Sequence, residues 1–331
     1  MNGKRWAALG IAVVLVVVSA IFNTVTTFQS AANEMFAMND SEFDEEIIQE
    51  GSAENRIAVL EVDGVIQDTG ESASFFQSSG YNHQEFLKKI DAVQKDDSIS
   101  GVILNVNSPG GGVVESAEIH KHLMELKKKT KKPLYVSMGT TAASGGYYIS
   151  TAADKIFAAP DTLTGSLGVI MEGVNYGELA KQYGVKFETI KSGPYKDIMS
   201  PSRDMTKEER NILQGMVNNA YEGFVGVISE GRKMSREDVK KIADGRIYDG
   251  RQAKEKKLVD ELGYIDDTVA AMKKDLKIEN AEVFEYKQSS GFDSLLSMGA
   301  KKAFSDEYQM FGLYELFSKP ANSRLMYMYS K

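Results

Sequence analysis

The sequence contains no cysteine. That absence excludes disulfides, thiolate metal sites and a cysteine nucleophile, and it leaves the redox compartment open. Histidine is scarce too. Only His83, His120 and His122 occur in 331 residues, so a hydrolase built on this chain works with those three or without histidine. Basic charge is in deficit: 39 lysines and arginines stand against 47 aspartates and glutamates, for a formal net charge of -8 and a pI of about 5.2. A nucleic-acid partner would call for a basic face, so none is expected. No internal repeat or low-complexity tract breaks the chain. What is present is ordinary for a folded protein, with 42% apolar and 26% charged residues and length enough for one large domain or two small ones.

The first 28 residues stand apart. Lys4 and Arg5 precede an apolar run over 6–22, continued less purely to Phe28, and no basic residue returns until Arg56. Such a run is long enough to cross a bilayer as a helix and longer than the apolar core of a cleaved secretory signal. The basic pair is expected to stay cytoplasmic, with everything after Phe28 outside. A cleaved signal is the rival reading, with Ser30-Ala31-Ala32 as a small-residue cleavage site. Residues 29–55 then carry Glu34, Asp40, Glu42, Asp44, Glu45, Glu46, Glu50 and Glu54 without a single cation. They read as an acidic extracytoplasmic stalk, extended by its own repulsion.

From Arg56 short β-branched runs alternate with helical patterns. Strands are expected at 57–62, 102–106, 134–137, 156–158, near Val169 and at 185–190. Helices are expected at 83–96, 115–129, from Ser144, at 176–183, and from the capping box at Thr206-Lys207-Glu208-Glu209 to about Gly231. Ser235-Arg236-Glu237-Asp238 opens one more. This alternation favours an α/β domain with mostly parallel pairing, over 56–288. The tail 289–331 is rich in aromatics, and Phe304, Tyr308 and Phe311 fall on one helical face. It reads as a terminal helix on its own domain, a subunit contact, a membrane-surface contact, or an arm that reaches an active site.

Two glycine segments follow predicted strands. In Asn107-Ser108-Pro109-Gly110-Gly111-Gly112, consecutive glycines allow close backbone approach and turn N–H groups outward, toward an anion or a developing oxyanion. In Ala142-Ala143-Ser144-Gly145-Gly146-Tyr147-Tyr148, a serine stands at a strand-to-helix turn among small neighbours, with the mechanics of a nucleophile elbow. A helix-capping serine is the bland alternative. The histidines offer no supported base: His120 and His122 lie two apart on different helix faces, and His83 precedes both glycine segments. Lysine remains, provided desolvation lowers its pKa from about 10.4, and composition does not say which lysine.

The segments 107–112, 141–148, 163–169 (with Thr164-Gly165-Ser166-Leu167-Gly168-Val169) and 193–197 (Gly193-Pro194-Tyr195-Lys196-Asp197) together resemble the signal peptide peptidase A family of serine-lysine peptidases. Their order, spacing and content match over roughly 56–285. The resemblance implies Ser144 as nucleophile, Lys196 as general base, and Ser166 as the residue that orients the lysine amine. It implies an oxyanion hole from the N–H groups of Gly111 and Gly145, and neither metal nor cofactor. The implied fold is the α/β spiral of βαβ units shared by Clp proteases and crotonases. Some members of that family carry two tandem copies, with nucleophile and base in different copies. A single copy then implies a cyclic homo-oligomer whose subunits share the dyad. Expected substrates are signal-peptide remnants in the membrane. Broader peptide degradation at the cell surface, a crotonase-type acyl-CoA enzyme and a non-catalytic scaffold are the alternatives.

Overall fold

Val102, Ile103 and Leu104 are consecutive and apolar, and such a run is stable as a strand only where both faces are covered. The computed structural model describes residues 43–68, 81–287 and 324–329, and it builds that arrangement. In chain order the strands are β1 (Asp44–Gln49), β2 (Ser52–Asp63), β3 (Ile99–Ser108), β4 (Gly110–Gly112), β5 (Leu134–Ala143), β6 (Lys155–Ala158), β7 (Leu163–Gly165), β8 (Ile247–Tyr248), β9 (Glu261–Leu262), β10 (Ala281–Lys287) and β11 (Met326–Met328). The helices are α1 (His83–Lys95), α2 (Val113–Thr130), α3 (Gly145–Ser150), α4 (Gly177–Gln182), α5 (Lys207–Arg232), α6 (Arg236–Ile242), α7 (Gly250–Glu255) and α8 (Ile265–Leu276). All described residues except 43, 44 and 287 fall in one compact unit.

Among the described residues one large sheet runs β1-β10-β2-β3-β5-β6-β9, with β7 on β5 and β8 on β7. Its pairings β10/β2, β2/β3, β3/β5, β5/β6, β5/β7 and β6/β9 are parallel, and β7/β8 is antiparallel. β5 changes partner along its length. Tyr135–Met138 pairs with β6, whereas Thr141–Ala143 pairs with β7, so the sheet turns a corner at Gly139. Helix α8 packs on β3 and β5 and closes a core of Ile57, Val59, Ile103, Phe157, Met272 and Val283. α3 covers β3, and α1 covers β2. A fully buried Leu104 or Ile103 contributes about 1.5–3 kcal/mol by leaving water.

A second, smaller sheet crosses the corner. β4 pairs antiparallel with β11, Gly111 opposite Tyr327. Ile66 bridges Gly111 from one side, and Ile170 bridges Met326 from the other.

Most expected elements form close to their expected places. The long helix begins at the capping box, where the Thr206 hydroxyl accepts from Glu209 N–H and the Glu209 carboxylate accepts from Thr206 N–H. Three expectations need correction. Residues 185–190 are irregular with Val185, Phe187 and Ile190 exposed, because an alternating sequence becomes a strand only against a partner edge. The strand near Val169 lies earlier, at β7, and Ile170 makes only an isolated bridge. Residues 44–55, read as the end of a solvated stalk, form β1 and the start of β2. Their carboxylates stay at the surface, where water solvates them, and Glu45 pairs with Arg56, which also holds Glu282 at 2.8 Å and Asp96 at 3.6 Å. The N-terminal apolar run and the Phe304–Tyr308–Phe311 face lie outside the described residues. Among those described, no helix is long and apolar enough to cross a membrane.

Candidate active site

The candidate residues Ser144, Gly145, Gly111 and Ser166 lie at or just beyond strand ends at the corner of the sheet. β3 finishes at Ser108, whose buried hydroxyl accepts from Gly110 N–H at 3.1 Å and folds the chain sharply into β4. Asn107 pins neighbouring strand ends, donating to Asp63 at 2.8 Å and accepting from Thr141 N–H at 3.2 Å. Gly110 has φ +104°, a conformation that side chains rarely adopt. At Gly111 the reason is different: a Cβ would lie 1.8 Å from the Ile66 carbonyl oxygen. Gly110 and Gly111 are therefore required by backbone conformation and by backbone approaching backbone, as the sequence suggested, whereas a Cβ on Gly112 would meet the Glu115 side chain.

β5 delivers Ser144 to the same place. Its φ of 53° and ψ of -113° put a non-glycine residue in a strained region, the kind of cost tolerated at functional turns. The turn is held on both sides, since Ser144 N–H donates to Gly165 O at 2.8 Å and Ser144 O accepts from Tyr148 N–H at 2.8 Å. The hydroxyl itself is different. Ser144 is 1% exposed, and among the described residues its Oγ has no hydrogen-bond partner. Buried polar atoms are nearly always paired, so an orphan hydroxyl on a strained turn marks a site. Among the described residues Ser116 Oγ is the other buried orphan, and a Cβ on Gly145 would come within 2.6 Å of it and 3.0 Å of Gly111 N. The backbone nitrogens of Gly111 and Gly145 thus border one small space.

Ser166 follows β7, whose Gly165 lies in register with Ala143, so Ser144 and Ser166 leave adjacent strands side by side. Ser166 also has positive φ, 49°, and its N–H is fixed by Arg246 O at 2.8 Å. Lys196 is not part of this cluster. It sits exposed in the segment between α4 and α5, its backbone N–H donating to Gly193 O at 3.2 Å. One folded chain therefore brings together Ser144, Gly145, Gly111 and Ser166, but not Lys196 with the Ser144 hydroxyl. The histidines are engaged elsewhere. His83 is buried between Tyr81 at 2.6 Å and Glu118 at 3.0 Å. His120 packs edge-on against Tyr148, and burial, helped by Lys127, pushes its pKa down to about 4. His122 faces Asp91 at 3.8 Å.

Residues 126–279 match the family described as Peptidase family S49. The chain is similar to a protein named "Putative signal peptide peptidase SppA" from Enterococcus faecium, 45% identical over 304 residues that cover 89% of this chain and 88% of the relative. The chain belongs to peptidase family S49. It is a serine peptidase. Another relative, "Putative protease MJ0651" of Methanocaldococcus jannaschii, is 41% identical over 66% of this chain and 70% of its own length. "Protease 4" of Haemophilus influenzae is 36% identical over 65% of this chain but only 34% of its own length. The resemblance carried by the four motifs is borne out at the level of family, and the acyl-CoA alternative gives way to peptidase chemistry.

Beside the serine, this S49 peptidase holds a feature that the motifs did not reveal. The Tyr327 ring of β11 is buried against Tyr148 at 5.0 Å and Phe224 at 4.6 Å between ring centroids, and its hydroxyl donates to Ala220 O at 3.1 Å. Its carbonyl oxygen would lie 2.1 Å from a Cβ on Gly110, and Gly145 N would lie 2.7 Å from the same point. A backbone carbonyl thus points toward the space between the two glycine segments. An open cleft of about 580 Å³ is lined by Ser166, Val169, Tyr221, Asp244, Met328 and Tyr329. The only sequence signal was the aromatic tail, one of whose readings was an arm reaching an active site. Phe224 and Ala220 gave none, since their spacing in α5 serves a helix core equally well.

Proposed function

We propose that this S49 peptidase is a membrane-anchored serine endopeptidase that degrades signal-peptide remnants, with Ser144 as nucleophile and Lys196 of a neighbouring subunit as base. One observation carries the peptide-cleaving part. The chain's own segment 326–328 lies as an extended strand on Gly110–Gly112, with Ile170 on its other side, next to the orphan Ser144 hydroxyl. A groove that accepts an extended chain by backbone pairing, with a pocket for a large apolar side chain, is the recognition mode of a peptidase cleft. The corner in β5 and the crossing second sheet agree with the Clp-protease/crotonase-like spiral.

In the proposed reaction neutral Lys196 takes the Ser144 proton as Oγ attacks the peptide carbonyl. The N–H groups of Gly111 and Gly145 stabilise the oxyanion, Ser166 orients the amine, and Lys196 then protonates the leaving nitrogen. Water releases the acyl group by the reverse path. Sharing of the dyad is supported by the exposure of Lys196 and by the apolar side chains around it: Val174, Leu179, Tyr183, Phe187, Ile190 and Tyr195 are all exposed. Such a patch suits a subunit contact, and a head-to-tail contact closes into a ring. The anchor rests on the apolar run 6–22, and with it a catalytic domain outside the cytoplasmic membrane.

The test is mass spectrometry of a defined signal peptide incubated with the protein. Cuts within its apolar stretch are expected, and none with Ser144→Ala. An intact signal peptide beside cleaved unrelated peptides would remove the substrate and keep the chemistry. That outcome favours the broader peptide degradation that sequence-neutral backbone pairing also permits.

A further inference from the structure

Most of the segment between α4 and α5 has no regular structure, yet Arg203 ties one turn of it firmly. Arg203 Nε donates to Asp197 Oδ2 at 2.9 Å, and Nη2 donates to Oδ1 at 2.7 Å and to the Asp197 carbonyl at 3.2 Å. Nη1 donates to Asp204 O and to Glu209 Oε2, both at 2.9 Å, and Nη2 also bonds Glu209 Oε1. Glu209 is 1% exposed and belongs to the capping box that roots α5. From the other side Lys191 Nζ donates to Asp197 Oδ1 at 2.6 Å and to Pro194 O at 3.1 Å. Asp197 is the residue after Lys196. The peptide that carries the lysine is therefore clamped, by carboxylate and carbonyl together, to the N-terminus of a 26-residue helix.

We infer that Arg203 is a positioning residue for the reaction: it fixes the turn that presents Lys196 and keeps the neighbouring Asp197 from engaging the lysine amine. This rests on the reading of Lys196 given above. Two physical points support it. A planar guanidinium grips a carboxylate in one orientation, which a lysine in its place cannot do. A base that must shed its proton is poorly served by a free carboxylate next door, which would favour the ammonium; here the Asp197 charge is taken up by Arg203 and Lys191, which hold its carboxyl well below the usual carboxylate range.

The test uses the full chain and a fluorogenic apolar peptide. Arg203→Gln is expected to lower kcat about 10- to 100-fold, the scale of misplacing a catalytic group by about an ångström, while KM stays within about threefold. Arg203→Lys should recover only part. Mixed subunits give the decisive readout. Arg203→Gln subunits should regain activity with Ser144→Ala subunits, which supply an intact lysine turn, but not with Lys196→Ala subunits. Should Arg203→Gln fail to fold around the unpaired Glu209, Arg203→Gln with Glu209→Gln takes its place in the same mixtures. An unchanged kcat, or recovery with neither partner while Ser144→Ala and Lys196→Ala complement each other, overturns the inference. An active Lys196→Ala protein instead overturns the reading of Lys196 itself. If Ser144→Ala and Lys196→Ala fail to complement, sharing of the dyad falls, and kcat and KM of the two Arg203 variants decide alone.

Discussion

The two regions that bear the expected dyad are built in opposite ways. Around Ser144 the packing is tight: most of β3 and β5 and all of α3 are buried, and the turn is held by hydrogen bonds at its N–H and its carbonyl. Around Lys196 the chain is exposed and largely irregular, and its apolar side chains face outward. One region is packed and leaves two buried hydroxyls, Ser144 and Ser116, without a partner among the described residues; the other is shaped by a few ion pairs and exposes its apolar side chains. A nucleophile needs rigid preorganisation, which a packed sheet corner supplies. The proposed sharing of the dyad accords with this, since a base offered to a neighbouring subunit has to stand at the surface.

The sharpest way to break this contrast is at its centre. Ser144→Ala is expected to remove peptidase activity, a loss of about 10³-fold or more, with the unfolding transition essentially unchanged; substantial turnover in the folded variant would end the assignment. Next in size are paired substitutions in the two regions. Leu104→Ala, in the covered strand, should cost about 2–5 kcal/mol in denaturant unfolding. Ile190→Ser should leave the unfolding of the subunit within about 0.5 kcal/mol but lower the assembly mass seen by light scattering. Equal stability losses at both positions would show that the two regions do not differ as described.

The smallest effect concerns pH. His120 packs against Tyr148 behind the serine turn, and burial holds its pKa down at about 4, below the unfolded value of about 6.5. As pH falls from about 6.5 to 4 the unfolded chain takes up a proton that the folded chain refuses, so stability falls over that window and levels off below it. The loss is of the order of 1–3 kcal/mol. Thermal unfolding of the parent and His120→Gln should therefore differ in slope between pH 7 and 4. Parallel slopes would mean that His120 is not held neutral by the serine region.

Much of this organisation was legible in advance, for a local reason. Capping boxes, apolar runs and glycine turns act over a few residues, and Thr206–Glu209, 102–106 and 107–112 formed where their chemistry called for them. What failed depended on partners far along the chain. The alternation at 185–190 met no strand edge, and the acidic stretch 44–55 gained Arg56 and β10 as company. The grouping of Ser144, Ser166 and Gly111 could be stated from the family resemblance but not from spacing. β11 was hidden because pairing between residues 110 and 328 leaves no periodic trace in either segment.

By itself, then, the sequence determined the class of fold and the residue types available for catalysis: no cysteine, no usable histidine, and a serine at a strand-to-helix turn. Those follow from covalent chemistry and short-range sterics. Only the tertiary structure decided which strand ends meet at the corner of β5, that the Ser144 hydroxyl has no partner there among the described residues, and that Arg203 ties down Asp197, the residue after Lys196. These are matters of long-range packing, where burial and the pairing of polar groups are settled by residues that no local pattern links.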